Sequence, residues 1–495
     1  MTAPIPGRWL AAIGAIVTLI ALPAIGARAT YGARTTADEP QYLLSASSLV
    51  ADGDLDIGNQ LEARSYLPYH EITVDTQTRA LDESGRRVSP HDPLLPVLLA
   101  APMAIGGWVG AKGALAVVAG LTAALTAWTA NRRFAVDRVA ALVAVTGCFA
   151  GIPLAAYGTQ VYPEVPAALL VVVAVTALTG DGDQRPLSTT VIALAAIIGL
   201  PWLAVKYVPV AAVLGLALLG RSRRHPKLIV GILGVAAAAG VIYLRAHQVI
   251  YGGWTVYASG DHFESTGEFS VVGTEVNVLG RNRRLIGLLV DRRFGIGVWS
   301  PIWFLLAPAV VGALRARRRS SRPDRAPLWL GAAVVGVGWL TATFVALTMH
   351  GWWVPGRQLV VVLPIAALFI ARWASLSRRR LLVTGSVALI GTANWLWLAV
   401  ESSTGRRTLV VDFAETSAPF YRLLSPVFPD GIVGGPTHDL GLVLWAVLLA
   451  GAVWRSDRSG QELPDPSTDR PQGSEQAPRE RVGIFPGRQV VRDSN

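Results

Sequence analysis

Two acidic residues, Asp38 and Glu39, stand about ten residues after the first long apolar segment, which covers 9–27. If this segment spans a bilayer, the pair lies at the membrane surface on the side opposite the N-terminus. A carboxylate pair there suits an enzyme that acts on a substrate held in the membrane, and ionisable groups at membrane depth favour a functional role. The pair also suits a helix N-terminus, because Pro40 follows it and 41–49 can form a helix. The two interpretations do not exclude each other.

A third carboxylate, Glu164, lies in the segment 158–166, beside a proline at the start of another apolar run. Capping of the following helix explains this residue about as well as a function does. The predicted topology places Glu164 on the same face as Asp38, which adds it to the candidate catalytic residues. A further acidic cluster at 52–56 lacks a full set of calcium ligands and is interpreted as a turn.

Cationic residues follow on the same predicted face: Lys206 in 200–207, Arg292 and Arg293 in 291–295, and Arg357 in 350–358. Each one alone is typical of a side chain that snorkels to the membrane surface. Together they depart from the positive-inside rule. An anionic ligand such as a phosphate would explain them through charge-assisted hydrogen bonds.

Aromatic residues surround these cations, and they suit either an interfacial belt or the lining of a sugar pocket. They are Trp202, Tyr207, Trp352 and Trp353. Tyr42 and His350 complete the candidate binding residues. The histidines show no metal-ligand spacing, and Cys148 is the only cysteine, so no thiolate metal cage is predicted. The sequence contains no phosphate-binding loop or serine-hydrolase motif.

The elements that must position these residues are membrane helices. The chain has 495 residues, of which 52% are hydrophobic and 16% are charged, whereas soluble domains carry about 25% charge. Its mean hydropathy is +0.44, and apolar runs of 18 or more residues recur along the chain. This composition predicts an all-α polytopic helix bundle in the cell (plasma) membrane. The net charge of +11 fits positive-inside bias, and no nucleic-acid partner is predicted.

About twelve spans are predicted, and the distribution of basic residues orients them. They cover 9–27, 110–130, 135–155, 164–180, 187–204, 207–220, 228–246, 295–313, 328–348, 358–375, 380–399 and 439–455. With the N-terminus inside, nearly every short basic loop falls on the inner side. The first segment can span, and many spans follow it, which favours a retained helix over a cleaved signal peptide.

The predicted transmembrane domain covers 1–455, and 456–495 is predicted to be a disordered cytoplasmic tail. Within the domain, 28–109 forms a large first extracytoplasmic loop. That loop includes a short, proline-containing apolar segment at 93–103, predicted to be an interfacial or re-entrant helix.

In this order the motifs resemble the GT-C glycosyltransferases, and most closely the branch of protein O-mannosyltransferases and bacterial lipid A aminoarabinose transferases. The resemblance rests on AspGluProGlnTyr after the first helix, the large outer loop, and an acidic residue in the next outer loop. It also rests on ProTrpLeuAlaValLysTyr (201–207), AspArgArgPheGlyIleGlyValTrpSerProIleTrp (291–303) and GlyTrpTrpValProGlyArgGlnLeu (351–359). These motifs are spread over about 9–375.

The resemblance implies a polyprenyl-phosphate-linked sugar as donor and transfer, on the outer face, to a lipid, glycan or protein acceptor. It implies Asp38 as the catalytic base with Glu39 beside it. Glu164 matches the second acidic position, where the family often has Asp, and this departure leaves a divalent cation open. Lys206 and Arg357, with the arginine pair at 292–293, could stabilise the leaving phosphate.

Two other classes remain as alternatives: a polytopic transporter or lipid-linked sugar flippase, and a non-catalytic membrane scaffold. Transporters usually show inverted repeats and helices broken at the membrane midplane, and the sequence shows neither. A scaffold explains the helices but leaves the acidic and cationic residues unexplained. The sequence therefore favours the transferase.

Overall fold

The computed structural model describes residues 3–180, 186–261, 277–318 and 326–458. Within these ranges the chain forms helices and turns, with three isolated bridges but no strand, as the all-α prediction requires. The α-helices are α1 (Gly7–Ala21), α2 (Glu39–Ala51), α3 (Gly58–Glu62), α4 (Leu94–Arg133), α5 (Arg138–Phe149), α6 (Leu154–Tyr157), α7 (Glu164–Leu178), α8 (Pro186–Leu203), α9 (Val208–Arg221), α10 (Pro226–Tyr251), α11 (Val278–Arg281), α12 (Arg284–Val290), α13 (Ile296–Trp299), α14 (Leu306–Arg318), α15 (Ala326–Leu340), α16 (Leu363–Ala374), α17 (Arg378–Ser403), α18 (Pro419–Leu424) and α19 (Pro436–Arg458). Nearly all of the tail predicted to be disordered lies outside the described residues.

Six helices in the described ranges are long and apolar enough to cross a membrane, so the chain is a membrane protein. Each of the twelve predicted segments overlaps a helix, because long apolar runs leave the backbone no other way to satisfy its polar groups in lipid. Several of these helices, among them α5, α7 and α16, have only 10–17 residues. At about 1.5 Å per residue they are shorter than the ~30 Å hydrocarbon core. The count of about twelve spans therefore stays a prediction.

The longest helix, α4, is interrupted where two glycines leave helical geometry. Gly106 has φ −132° and Gly107 has φ +58°. A Cβ atom on Gly110 would lie 2.4 Å from the carbonyl oxygen of Pro102. Residues eight apart in a straight helix are separated by about 12 Å, so the chain folds back sharply here. The short helix predicted at 93–103 is thus present as the first part of α4, before this turn.

Helix α16 is the centre of the bundle. It packs against α4, α5, α7, α14, α15 and α17, and every residue from Leu363 to Ala371 is buried. A helix that is apolar on all sides must be enclosed by other helices or by lipid. In contrast, α10 exposes Val230, Val241 and Val249. Its apolar surface therefore suits contact with lipid.

Helices α1 and α4 approach each other through glycines. A Cβ atom on Gly120 would lie 2.4 Å from the carbonyl oxygen of Gly14 and 2.4 Å from Oγ1 of Thr18. The Thr18 hydroxyl donates to the carbonyl of Gly14 at 2.9 Å and lies 3.2 Å from the carbonyl of Ala116. Small residues that let two backbones approach closely are a common basis of helix association in membranes.

Two arginines of the described residues, Arg221 and Arg372, lie near one end of the bundle. Arg221 donates to the carbonyl of Leu178, the last residue of α7, and Arg372 donates to the carbonyl of Phe134, just after α4. Glu164 is the first residue of α7 and so lies at the opposite end. Arg221 and Glu164 therefore lie at opposite ends of α7. Which end faces outward stays a prediction.

Candidate active site

One guanidinium connects two carboxylates that are far apart in the sequence. Arg357 lies in a short 3-10 turn after Gly356, whose φ of +82° is in the left-handed region that favours glycine. Its Nη2 donates to Oδ2 of Asp38 at 2.6 Å, and its Nε donates to Oε1 of Glu164 at 3.0 Å. The guanidinium also lies 4.0 Å from the ring centroid of Tyr162. Its side chain is 9% exposed, so this charge is compensated inside the protein.

A second cation shares the same carboxylate. Lys206 donates through Nζ to Oε1 of Glu164 at 2.7 Å, while Glu164 itself is only 1% exposed. Burial lowers the pKa of Lys206 from its usual range, and the Glu164 carboxylate offsets part of this effect. Glu164 therefore holds Lys206 and Arg357 side by side.

Asp38 occupies the N-cap position of α2, but its side chain makes no capping hydrogen bond. It is directed instead to Arg357, so the capping interpretation does not account for this carboxylate. Burial raises the pKa of Asp38, but the Arg357 guanidinium more than offsets burial and holds that pKa well below its usual range. Asp38 is therefore ionised at neutral pH.

Three of these charged groups border a cavity of about 560 Å³. Asp38, Tyr42, Lys206 and Arg357 line it, together with apolar side chains from α9 and from the end of α15 onward. Glu164 lies behind the two cations and does not line the cavity. A cavity of this size, mostly apolar with a few charged groups, suits a ligand with an anionic and an apolar part.

The four aromatic residues noted in the sequence divide between two environments. Trp353 and Tyr207 line the cavity. Trp202 packs on α10, with its ring centroid 5.1 Å from that of Tyr243. Trp352 is 59% exposed. The first two suit a ligand pocket, and Trp352 suits an interfacial position.

Glu39 lies beside Asp38 in the chain but faces away from the cavity. Its carboxylate accepts hydrogen bonds from the backbone N–H of Val161 at 2.8 Å and of Thr36 at 3.2 Å. Burial raises the pKa of Glu39, and Lys112 offsets part of this. These contacts tie α2 to the segment before α7, so they position Asp38 relative to Glu164.

The remaining predicted binding residues form a separate cluster around a buried aspartate. His350 Nε2 lies 3.5 Å from Oδ2 of Asp291, which is fully buried. The guanidinium of Arg293 donates to the Asp430 carboxylate at 3.2 Å. The guanidinium of Arg292 donates to backbone carbonyls in the segment 425–428, which precedes Asp430. None of these three predicted residues lines the cavity. The structure therefore brings Asp38, Tyr42, Lys206 and Arg357 together and places Arg292, Arg293 and His350 elsewhere.

The architecture around this site has a counterpart among solved structures. The chain is similar to the crystal structure of ArnT from Cupriavidus metallidurans bound to undecaprenyl phosphate, with a TM-score of 0.53 and 15% identity. The match covers 92% of this chain and 74% of that one. The chain has a GT-C fold. No protein-family model and no curated protein matches it.

Two further residues, His91 and Asp92, contribute to the candidate site, although the sequence did not single them out. His91 lines the cavity, and its Nε2 lies 3.7 Å from Oδ1 of Asp38. Asp92 is buried and accepts from His247 Nε2 at 3.0 Å and from the backbone N–H of Val205 at 3.1 Å. Asp92 thereby fixes the turn that carries Lys206.

The sequence signal for these two residues is weak. His91 and Asp92 form one ionisable pair between prolines, just before the apolar start of α4. His247, the partner of Asp92, lies more than 150 positions away on α10. Such contacts depend on the packing of the GT-C fold and cannot be derived from spacing.

Across the described ranges, no group of three or more His, Cys, Asp or Glu side chains could hold a metal ion. The divalent cation considered from the sequence stays a prediction.

Proposed function

We propose that the chain is a glycosyltransferase that moves a sugar from a polyprenyl-phosphate donor to an acceptor hydroxyl on the extracytoplasmic face. The observation that supports this best is the meeting of Asp38, Arg357 and Lys206 at one cavity of a GT-C fold. The acceptor would be a lipid, a glycan or a protein.

The two cations suit the donor phosphate. In ArnT the structure contains bound undecaprenyl phosphate, which is a phosphate carried on a long apolar chain. Here Arg357 and Lys206 would bind such a phosphate, while the apolar side chains of the cavity contact the lipid. A phosphate is already a weak base, so it leaves with the help of positive charge and needs no proton donor.

Asp38 would act as the base. As the acceptor oxygen attacks the anomeric carbon, a carboxylate beside it can take the hydroxyl proton. The attack comes from the face opposite the departing phosphate, so one transfer inverts the sugar carbon. Nη2 of Arg357 donates to Oδ2 of Asp38 at 2.6 Å. A donor phosphate would compete for the same guanidinium and leave Asp38 more basic.

The test is transfer of label from a radiolabelled polyprenyl-phosphate sugar to an acceptor in membranes that contain the protein. Asp38→Asn keeps the side-chain shape but cannot take a proton, so we expect the rate to fall by about 100-fold or more. Asp82→Asn, in an exposed loop of the same segment, is the matched control. Transfer by Asp38→Asn within a few-fold of the parent would remove Asp38 as the base.

The same assay separates the transporter alternative. A flippase or transporter moves the labelled lipid across the bilayer and leaves its sugar–phosphate bond intact. A transferase releases polyprenyl phosphate and makes a new labelled product. Movement without a new product would contradict the proposal.

A further inference from the structure

The apolar wall of the cavity includes the irregular end of α15. After Leu340 the chain forms a π-helical turn, Thr341–Val345, and then leaves helical geometry at Ala346, whose ψ is 134°. Six residues of this wall segment, 341–348, line the cavity: Thr341, Ala342, Val345, Ala346, Leu347 and Thr348. The last carbonyls of a helix have no partner within it, and turns of the π type often occur at functional sites. The backbone of the wall segment therefore needs partners from elsewhere in the chain.

Arg284, the first residue of α12, supplies several of these partners. Its Nη1 donates to the carbonyl of Ala346 at 2.6 Å, and its Nη2 donates to the carbonyl of Leu347 at 2.8 Å. Nη1 also donates to the carbonyl of Thr343 at 3.4 Å. A guanidinium carries five N–H donors in one plane, so a single arginine can bind several carbonyls of one turn. Arg284 therefore fixes the backbone of the wall segment at three points.

Further contacts join the end of α15 to α11 and α12. Nε1 of Trp339, near the end of α15, donates to the carbonyl of Leu285 at 2.9 Å. Arg281, the last residue of α11, donates to the carbonyl of Phe344. The wall segment is therefore attached to α11 and α12, which are separate from the residues proposed to bind the donor phosphate.

Apolar packing contributes little to the position of the wall segment. Val345 and Leu347 line the cavity and are 39% and 53% exposed, so they bury only part of their apolar area within the protein. Their positions depend instead on the course of the backbone, which Arg284 binds at Ala346 and Leu347. A change at Arg284 should therefore move apolar side chains that face the ligand.

We infer that Arg284 is a positioning residue for the lipid of the donor, because it holds the wall segment 341–348 in the form that contacts the polyprenyl chain. The inference rests on the proposed function, in which Arg357 and Lys206 bind the phosphate and apolar side chains of the cavity contact the lipid. Arg284 does not line the cavity, so it acts through the wall segment and does not bind the phosphate itself. It controls how tightly the lipid binds and leaves the chemical step to Asp38.

The experiment compares two inhibitors of transfer from a radiolabelled polyprenyl-phosphate sugar: undecaprenyl phosphate, which carries the lipid, and methyl phosphate, which does not. In Arg284→Ala the inhibition constant of undecaprenyl phosphate and the KM of the donor should rise about tenfold, which corresponds to the apolar contact of roughly one side chain. The inhibition constant of methyl phosphate should not change. The kcat should stay within about twofold of the parent value, because the chemical step is untouched.

The matched control is Arg283→Ala, at the neighbouring arginine. Arg283 is exposed, donates to Asp439 on α19 at 2.7 Å and does not line the cavity. Its replacement removes the same charge from the same end of α12, so both inhibition constants should keep their parent values. An equal loss of affinity for undecaprenyl phosphate in Arg283→Ala and Arg284→Ala would trace the effect to charge and overturn the role of the wall segment.

A second variant, Leu347→Ala, covers the case in which Arg284→Ala does not fold, because it shortens an exposed side chain of the wall segment. It should weaken inhibition by undecaprenyl phosphate and leave inhibition by methyl phosphate unchanged. In the double variant the two losses should be less than additive, since Arg284→Ala has already displaced Leu347. Additive losses, or unchanged inhibition by undecaprenyl phosphate in Leu347→Ala, would overturn the inference.

The outcomes separate this inference from the proposed function. If the parent makes no labelled product, the proposed function fails and the inference fails with it. If the parent transfers and a folded Arg284→Ala variant binds undecaprenyl phosphate as the parent does, only the role of Arg284 is overturned. Equal rises in the inhibition constants of methyl phosphate and undecaprenyl phosphate would place the effect at the phosphate and also overturn it.

Discussion

At the scale of single residues, the site depends on the shape of one side chain. Arg357 uses two different nitrogens to reach Asp38 and Glu164, which are otherwise held apart by separate helices. A lysine would supply the same charge from one atom and could not span both carboxylates. The guanidinium therefore fixes the spacing between the proposed base and the carboxylate that holds Lys206.

This geometry predicts different effects of two substitutions on donor binding. Arg357→Lys should raise the donor concentration needed for half-maximal transfer. The positive charge stays, but the planar guanidinium with its several N–H donors is lost. Arg357→Ala should weaken donor binding more, by about 2–5 kcal/mol, since it removes the charge as well and takes from Asp38 its guanidinium partner. Donor titrations of purified, folded variants measure both effects.

The matched control is Arg407→Lys. Arg407 also bridges two carboxylates, those of Asp412 and Glu415, but it does not line the cavity. Its replacement should leave donor affinity unchanged. Equal donor affinities for the parent and both Arg357 variants would remove Arg357 from the donor site.

At the scale of helices, α1 and α4 pack closely against each other at Gly120. Gly120→Ala would place a methyl group 2.4 Å from a backbone carbonyl that cannot move without shifting α1. We expect a loss of stability of about 1–3 kcal/mol, as for other overpacked interiors. The midpoint of thermal unfolding in detergent measures it.

Gly113→Ala is the control on the same helix. A Cβ atom on Gly113 meets nothing within 4 Å, so alanine adds helix propensity without a clash. This variant should unfold at the parent temperature or slightly above it. Equal unfolding temperatures for Gly120→Ala and Gly113→Ala would contradict the close approach of α1 and α4.

The helices and part of the site could be predicted from the sequence for different reasons. Apolar runs dictate helices in lipid, so each predicted segment overlaps one. Three site residues each lie at a helix end or turn on one predicted membrane face, so the sequence could predict that they lie near one another: Asp38, Lys206 and Arg357. Arg292 and Arg293 share that face, but their carbonyl and carboxylate partners come from the segment 425–430, far along the chain. Spacing alone does not reveal such pairing.

At the scale of the whole molecule, the arrangement of charge predicts an orientation. The basic residues around Arg221 lie at the end of α7 opposite to Glu164. Positive residues in short loops stay in the cytoplasm during insertion. The cavity should therefore open on the extracytoplasmic side, where a transferase can meet acceptors of the cell envelope.

Single-cysteine labelling tests this orientation. Cys148 is fully buried, so Cys148→Ala gives an unlabelled background with little change in the surface. Ser84→Cys lies in an exposed turn of the loop that also carries Gln77 of the cavity wall, and Arg224→Cys lies in the exposed basic loop after α9. A membrane-impermeant maleimide should label Ser84→Cys in intact cells and Arg224→Cys only after permeabilisation. The reverse pattern would place the cavity in the cytoplasm and rule out transfer on the outer face, whatever the chemistry of the site.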